Sequence, residues 1–213
     1  MQKQQYAVIG LGRFGRALAM TLEELGHEVL AVDKSHEIVQ ELADQLQHVV
    51  QADASDEKTL RALGVGNLDV AVVSMGDLEE RILTTLHLKD MGLPLVVAKA
   101  NQASEGRILS KLGADRVVYP ERDMGVREAY SLSTGCMVDL LDLSGGISVG
   151  EFPLREKYAG KTLAELDLRK RHNLSVLAIK RGNQVIYNPA GPDMLLGGDI
   201  LVMMGKPEDL AKV

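Results

Sequence analysis

Short apolar runs alternate with longer amphipathic stretches from residue 1 to about residue 120. The runs are Tyr6–Ile9, Glu28–Val32, His48–Gln51, Val70–Val73, Leu95–Ala98 and Arg116–Val118. Their shortness and valine content predict strands buried on both faces of a parallel sheet. Between them lie stretches of helical length. Phe14, Leu18, Leu22 and Leu25 recur at helical spacing, and Gly26 stops that helix. Ser35 before residues 36–44 and Asp56 before residues 57–63 are placed as N-caps. Six strand–helix units with short connections predict a doubly wound, Rossmann-like α/β sheet, because rival topologies need longer loops. Pro120 ends the sixth unit, and a further helix is expected over residues 121–134, with Val126, Ala129, Tyr130 and Leu132 as its apolar members.

The texture changes from Cys136 onward. Strands are expected at Val138–Leu143 and Ser148–Pro153 around a Gly145-Gly146 turn. A helix follows at Leu163–Arg171, then a hairpin of Leu174–Lys180 and Gln184–Tyr187 about Gly182-Asn183, and a last strand at Ile200–Met204. The chain therefore divides into a sheet domain at 1–120, a connecting helix at 121–135 and a small α+β domain at 136–213. The second lobe has room to bind a ligand or to dimerise, but is small for a catalytic domain.

Within this frame the string Gly10-Leu11-Gly12-Arg13-Phe14-Gly15 acquires meaning. Three glycines at this spacing are weak evidence alone, but here they follow a strand and open a helix, and Asp33 ends the next strand. That is the setting of a dinucleotide-binding turn. Gly10 permits the turn, Gly12 lets a phosphate approach the backbone, and Gly15 lets the helix pack closely. Asp33 would accept ribose hydroxyls, and Lys34 follows it; an acid at this position disfavours a 2′-phosphate. Arg13 lies in the first helical turn, where the helix dipole disfavours a cation, so it is assigned to pair with a phosphate. At the ends of the later strands stand Asp53-Ala54, Ser74-Met75-Gly76, Lys99-Ala100-Asn101 and Glu121, where ligands of open α/β sheets bind. An adenosine nucleotide or NAD(H) fits this set.

Charge and composition narrow the classes. The 213 residues carry a net charge of −6 and 3% aromatic residues with no Trp, which argues against nucleic-acid binding by counterion release or base stacking. One cysteine, Cys136, allows no intrachain disulfide. No apolar stretch reaches membrane-spanning length and no leader is read before the first strand, so a cytoplasmic chain is expected, with any membrane role exercised through a partner. The alternative is an NAD-dependent oxidoreductase. However, none of the five histidines follows a strand where hydride chemistry would occur, and no Tyr-x-x-x-Lys pair is present.

The Gly10–Gly15 string with Arg13, Ala31-Val32-Asp33, Lys111-Leu-Gly-Ala-Asp115-Arg116 and Pro120-Glu121-Arg122-Asp123-Met124-Gly125 resemble the regulatory subunits of the Trk/Ktr potassium-uptake systems. Leu177-Ala178-Ile179-Lys180 and Gly198-Asp199-Ile200-Leu201-Val202 resemble their C-terminal RCK domain. The resemblance implies a non-enzymatic cytoplasmic subunit, in dimers assembled into an octameric ring on a membrane potassium channel or transporter. It implies ATP and ADP competing for the N-terminal site, with NAD(H) in some members. Arg13 then corresponds to the arginine at the terminal phosphate, often across a dimer interface, and Glu121 to an acid that helps hold Mg2+ or another cation there. Some members bind cyclic di-AMP between C-terminal lobes; Arg169 and Asn173 to Ser175 occupy the corresponding place, while Arg169-Lys170-Arg171-His172 also reads as an ordinary basic helix end.

Overall fold

The computed structural model describes residues 3–134, 138–143, 146–210 and 212. Cys136 and Gly145 lie outside the described residues. The chain divides into two compact units, Met1–Arg122 and Asp123–Val213.

The first unit runs β1 (Gln5–Ile9), α1 (Arg13–Glu24), β2 (Glu28–Asp33), α2 (His36–Leu42), β3 (His48–Gln51), α3 (Glu57–Ala62), β4 (Val70–Val73), α4 (Leu78–Asp90), β5 (Leu95–Lys99), α5 (Ala103–Lys111) and β6 (Arg116–Val118). All strand pairs are parallel, in the order β3-β2-β1-β4-β5-β6. The chain leaves β1 toward β2 and returns to place β4 on the other side, so a crevice opens where the order reverses. The central strands β1 and β4 are buried as their apolar runs predict. The outer strands β3 and β6 are only part-buried, because an edge strand has a neighbour on one side alone. Ser35 and Asp56 cap α2 and α3 through side-chain oxygens, and Gly26 takes φ +87 just past α1.

The expected apolar stripe of α1 is displaced. Its fully buried positions are Gly15 and Ala19, Leu18 and Leu22 pack at their flanks, Phe14 is half-buried, and Leu25 is exposed. Small residues at the line of contact let the helix axis approach the sheet, and the larger side chains then fill the space beside it. The motif Lys111–Arg116 also has a structural reading. Gly113 turns the chain at φ +100, Ala114 is buried, and Asp115 accepts the Val96 N–H at 2.7 Å and the Lys89 ammonium at 2.9 Å, fixing the start of β5 to the turn before β6.

Helix α6 (Pro120–Thr134) carries the division between the units, with Pro120 opening it rather than merely ending a strand. Its Met124, Val126 and Leu132 are exposed. Beyond it come β7 (Val138–Leu143), β8 (Ile147–Pro153), α7 (Leu163–Leu166), α8 (Leu168–His172), β9 (Ser175–Arg181), β10 (Gln184–Tyr187), β11 (Ile200–Gly205) and α9 (Pro207–Leu210). The strands form an antiparallel sheet in the order β10-β9-β11-β8-β7, over a core that includes Phe152, Leu166, Leu168, Leu174, Ile179 and Leu201.

The single helix expected at Leu163–Arg171 is broken at Asp167, which takes the left-handed conformation at φ 45, ψ 45. In one continuous helix, residues two apart face nearly opposite sides. The break turns both Leu166 and Leu168 into the core, so burial of two leucines offsets the backbone strain.

Asp199 is the more deeply buried of two buried aspartates in the described part of this unit, 1% exposed against 9% for Asp209. It pairs with the partly exposed Arg181 at 2.7 Å and accepts the Leu196 N–H at 2.8 Å. The Arg181 guanidinium, foremost, holds its carboxyl below the usual aspartate range against the opposing effect of burial. A lowered folded-state pKa stabilises the fold fully above the unfolded value, and the contribution disappears as pH falls through the folded value. Asp199→Asn is expected to cost about 2–3 kcal/mol at pH 7. Its deficit against the parent chain should shrink below about pH 4, as read by urea denaturation at several pH values. A deficit that grows on acidification would show that the carboxylate is not the stabilising form.

Candidate functional site

The turn after β1 is built by steric constraint. Gly10 takes φ +91, and a Cβ placed on it would lie 2.5 Å from the Met75 amide nitrogen. A Cβ on Gly15 would lie 1.9 Å from the Gly10 carbonyl oxygen. Both positions are closed to every residue but glycine. Gly12 differs: a Cβ there would meet nothing within 4 Å, so the open space lies on its side of the turn. Gly12 is also the N-cap of α1, and no side chain caps that helix start. The positive end of the helix dipole and the first-turn amides therefore face the opening.

Asp33 locks this turn to the end of β2. One carboxylate oxygen accepts the Leu11 N–H at 2.6 Å and the other accepts the Ser35 N–H at 2.8 Å. The Leu11 amide is thus occupied within the protein, while each carboxylate oxygen keeps a lone pair toward the cleft. Ser74 is buried; its hydroxyl lies 2.7 Å from the Gly10 carbonyl oxygen and 3.2 Å from that of Ile9, bracing the turn from below.

A cleft of about 270 Å³ opens over these elements. It is lined by Ile9, Gly10, Gly12, Val32, Asp33, Lys34, Ile38, Ala52, Ala54, Ser74, Met75, Gly76, Glu80 and Lys99. Of the residues singled out from the sequence, the cleft gathers Gly10, Gly12, Asp33, Lys34, Ala54, Ser74, Met75, Gly76 and Lys99. Gly15 is packed beneath the turn, and Phe14 is not on the wall. Asp53 turns instead to Ser55, whose hydroxyl and N–H, in that order, draw its pKa down. Asn101 is exposed and donates its N–H to Glu105.

Arg13 is exposed in an adjoining shallow hollow with Arg16, Ala17 and Met20, which shares Gly12 and Ile38 with the cleft. Arg16 is paired with Glu41 at 2.6 Å. Glu121 projects from the start of α6 and receives the Lys99 ammonium at 2.6 Å. That hydrogen bond, foremost, keeps its carboxyl below the usual range, with Arg13 adding a weaker attraction. Among the described residues no group of three or more His, Cys, Asp or Glu is arranged to hold a metal. A cation at Glu121 would need most of its oxygens from elsewhere, as Mg2+ beside a phosphate chain does.

Sequence reasoning missed Arg81. On helical pattern it is a surface residue of α4, yet it is 1% exposed. Its guanidinium donates to the Met75 and Gly76 carbonyls at 2.8 and 3.1 Å, and to Glu105 at 2.8 Å. The same Glu105 oxygen accepts the Asn101 N–H. Arg81 thus ties the loop after β4, which floors the cleft, to the loop after β5. The spacing Arg81…Glu105 carries no local signal, because the two meet only when β4 and β5 pair.

In the second unit, Arg169 and Ser175 line a hollow of about 320 Å³ with Ala164, Asp167, Pro189 and Gly191 among its walls. Asn173 caps α8 in the left-handed conformation, and the basic residues of α8 fall in its last turn.

A parallel sheet of this order, with its Gly-rich turn and the acid ending β2, defines the first unit as a Rossmann-type fold with its crevice at the topological switch point. The model of the TrkA-N domain family matches residues 6–120, and that of the TrkA-C domain family matches residues 151–213. The chain is 39% identical to Ktr system potassium uptake protein C of Bacillus subtilis over 99% of this chain and 96% of that protein. It is 38% identical to Ktr system potassium uptake protein A of the same organism, over 100% and 96%. The chain therefore belongs to the Trk/Ktr potassium-uptake family. Among solved structures it resembles the GsuK RCK domain, with TM-score 0.55 and 27% identity over 98% of this chain and 45% of that one. It likewise resembles the GsuK channel bound to NAD, with TM-score 0.56 and 27% identity over 98% and 37%. It spans less than half the length of those channel chains. A GsuK structure bound to ADP aligns over 61% of this chain and 33% of that one, at TM-score 0.52 and 27% identity. Among the described residues no helix is long and apolar enough to cross a membrane.

Removing Arg81 leaves Glu105 without its cation and two loop carbonyls without a donor. Arg81→Met is expected to lower the unfolding free energy by about 3–5 kcal/mol in urea denaturation. Arg81→Met combined with Glu105→Leu should recover part of that loss. A double variant no better than the single one would mean that the pair is not coupled.

Proposed function

We propose that this chain is the nucleotide-sensing regulatory subunit of a membrane potassium channel or transporter, and not an enzyme. It binds an adenine nucleotide in the cleft over β1, β2 and β4. The observation that carries this reading is the uncapped start of α1 beside the open face of Gly12, with the Asp33 carboxylate on the same cleft. An anion placed there meets the helix dipole and free first-turn amides, and a ribose beside it meets an acceptor. The small apolar wall of Ala52, Ala54 and Ile38 suits a flat base. The names of the uptake-protein relatives and the NAD- and ADP-bound GsuK structures support the same assignment.

Sensing requires that ligands differ in affinity between two states of the assembly. ATP and ADP differ by one phosphate, so discrimination belongs to groups beyond the first phosphates. Arg13 is exposed, at the start of α1, and within electrostatic reach of Glu121, which suits it to a terminal phosphate bound by this chain or by a neighbouring copy. A cation such as Mg2+, when bound, would neutralise phosphate charge at Glu121, in competition with Lys99. The exposed apolar residues of α6 support association of copies of the chain into dimers and a ring on the cytoplasmic face of the membrane partner.

Gly12→Ala tests the reading with little structural cost, because the added methyl meets open space. Its unfolding free energy should stay within about 0.5 kcal/mol of the parent. Its affinity for ADP, read by calorimetry, should fall roughly tenfold or more. Unchanged ADP affinity in that variant, or a parent chain that binds none of ATP, ADP and NAD, would remove the assignment. Arg13→Ala should retain ADP binding and lose preference between ATP and ADP, with and without magnesium. An intact preference would exclude Arg13 from the discrimination.

A further inference from the structure

Lys34 and Glu80 reach the same cleft wall from distant elements, Lys34 from the loop after β2 and Glu80 from the first turn of α4. They form a direct ion pair. Glu80 stands three residues after the N-cap Asp77, where a glutamate commonly turns back to the cap's own amide. Its carboxylate instead extends to Lys34. Glu80 is also the more enclosed partner, at 23% side-chain exposure against 60% for Lys34.

The position of Lys34 gives the pair its meaning. It directly follows Asp33, at the end of the strand where this fold reads the ribose. A cation at that place is a natural counter-charge for a phosphate on the 2′ oxygen. Here the cation is already engaged. The hydrogen bond and charge of Glu80, with Asp53 and Asp77 acting in the same direction, hold the Lys34 ammonium above its usual range. The carboxylate of Asp33, fixed by the Leu11 and Ser35 amides, keeps lone pairs that suit hydroxyl donors, whereas a 2′-phosphate offers chiefly acceptors.

We infer that Glu80 is a specificity-determining residue of the cleft: by engaging Lys34 it withholds the cation that a 2′-phosphate needs, so the site selects adenosine nucleotides whose 2′-hydroxyl is free. This rests on the cleft being an adenine-nucleotide site, and it assigns a role to an acidic residue distant in sequence from the ribose-reading strand.

The test compares 5′-AMP with adenosine 2′,5′-bisphosphate, which differ only in the 2′-phosphate, as competitors for ADP bound to the full chain. In Glu80→Gln the inhibition constant of the bisphosphate should fall roughly tenfold, while that of 5′-AMP should change less than about twofold. In Glu80→Gln with Lys34→Ala the gain should vanish. Lys34→Ala alone, which leaves the Glu80 carboxylate unpaired, should leave the bisphosphate no stronger a competitor than in the parent. That arm stands even where the Glu80 variant does not fold. A bisphosphate that gains no more than 5′-AMP in Glu80→Gln, a gain that persists without Lys34, or a selective gain of the bisphosphate in Lys34→Ala would each overturn the inference. Failure of the parent chain to bind ADP, ATP or NAD is a different result and would overturn the nucleotide reading itself.

Discussion

The contact between the turn after β1 and the first turn of α1 governs the first unit. With Gly15 lying against the Gly10 carbonyl and Gly10 against the Met75 amide, no side-chain carbon fits between the helix, β1 and the end of β4. That closeness brings an uncapped helix start to the crevice between two diverging connections. It also fixes the backbone that a ligand would meet. Ser74 and Asp33 then brace the turn from two sides by hydrogen bonds that would be lost if the helix stood further off.

Around that contact the molecule uses charged side chains for two purposes. Some pairs hold loops: the enclosed pairs Arg81 with Glu105 beneath the cleft and Asp199 with Arg181 in the second unit, and the more exposed Asp115 with Lys89 at the start of β5. Exposed pairs at the cleft and beside it, Lys34 with Glu80 and Lys99 with Glu121, neutralise cations next to the space where anionic ligands would sit. In water such pairs contribute little stability. Their consequence is electrostatic, because each sets which charges remain available to a ligand. Arg13 is exposed and meets a weak attraction from Glu121, while its neighbour Arg16 is engaged with Glu41.

Family membership and the cleft geometry converge on one physical picture of a binding module. The cleft presents the uncapped start of α1, the Asp33 carboxylate and a small apolar wall. Similarity to the solved GsuK RCK domain covers 98% of this chain, while the cleft is lined largely by residues at the strand ends.

Much of this was legible in the residues alone. Short valine-rich runs and period-3.6 apolar patterns are local, so the six strand–helix units and the change of texture after the first lobe were readable, as were the tight turn at Gly10 and the close packing at Gly15; that Asp33 ties the turn to β2 through the Leu11 and Ser35 amides was not. Caps at Ser35 and Asp56 were readable for the same reason. What the sequence could not supply depends on which loop meets which. Arg81 lies on a helix and looks solvated until β4 and β5 pair and enclose it. Glu80 looks like part of a helix cap until β2 ends beside it. Asp167 looks helical until two leucines compete for one core. Asp53, Asn101 and Glu121 follow strands as ligand contacts do, yet their side chains turn to Ser55, solvent and Lys99. Strand-end position is a one-dimensional fact, and side-chain direction is settled only when long-range packing decides which charges are enclosed and which partners they find.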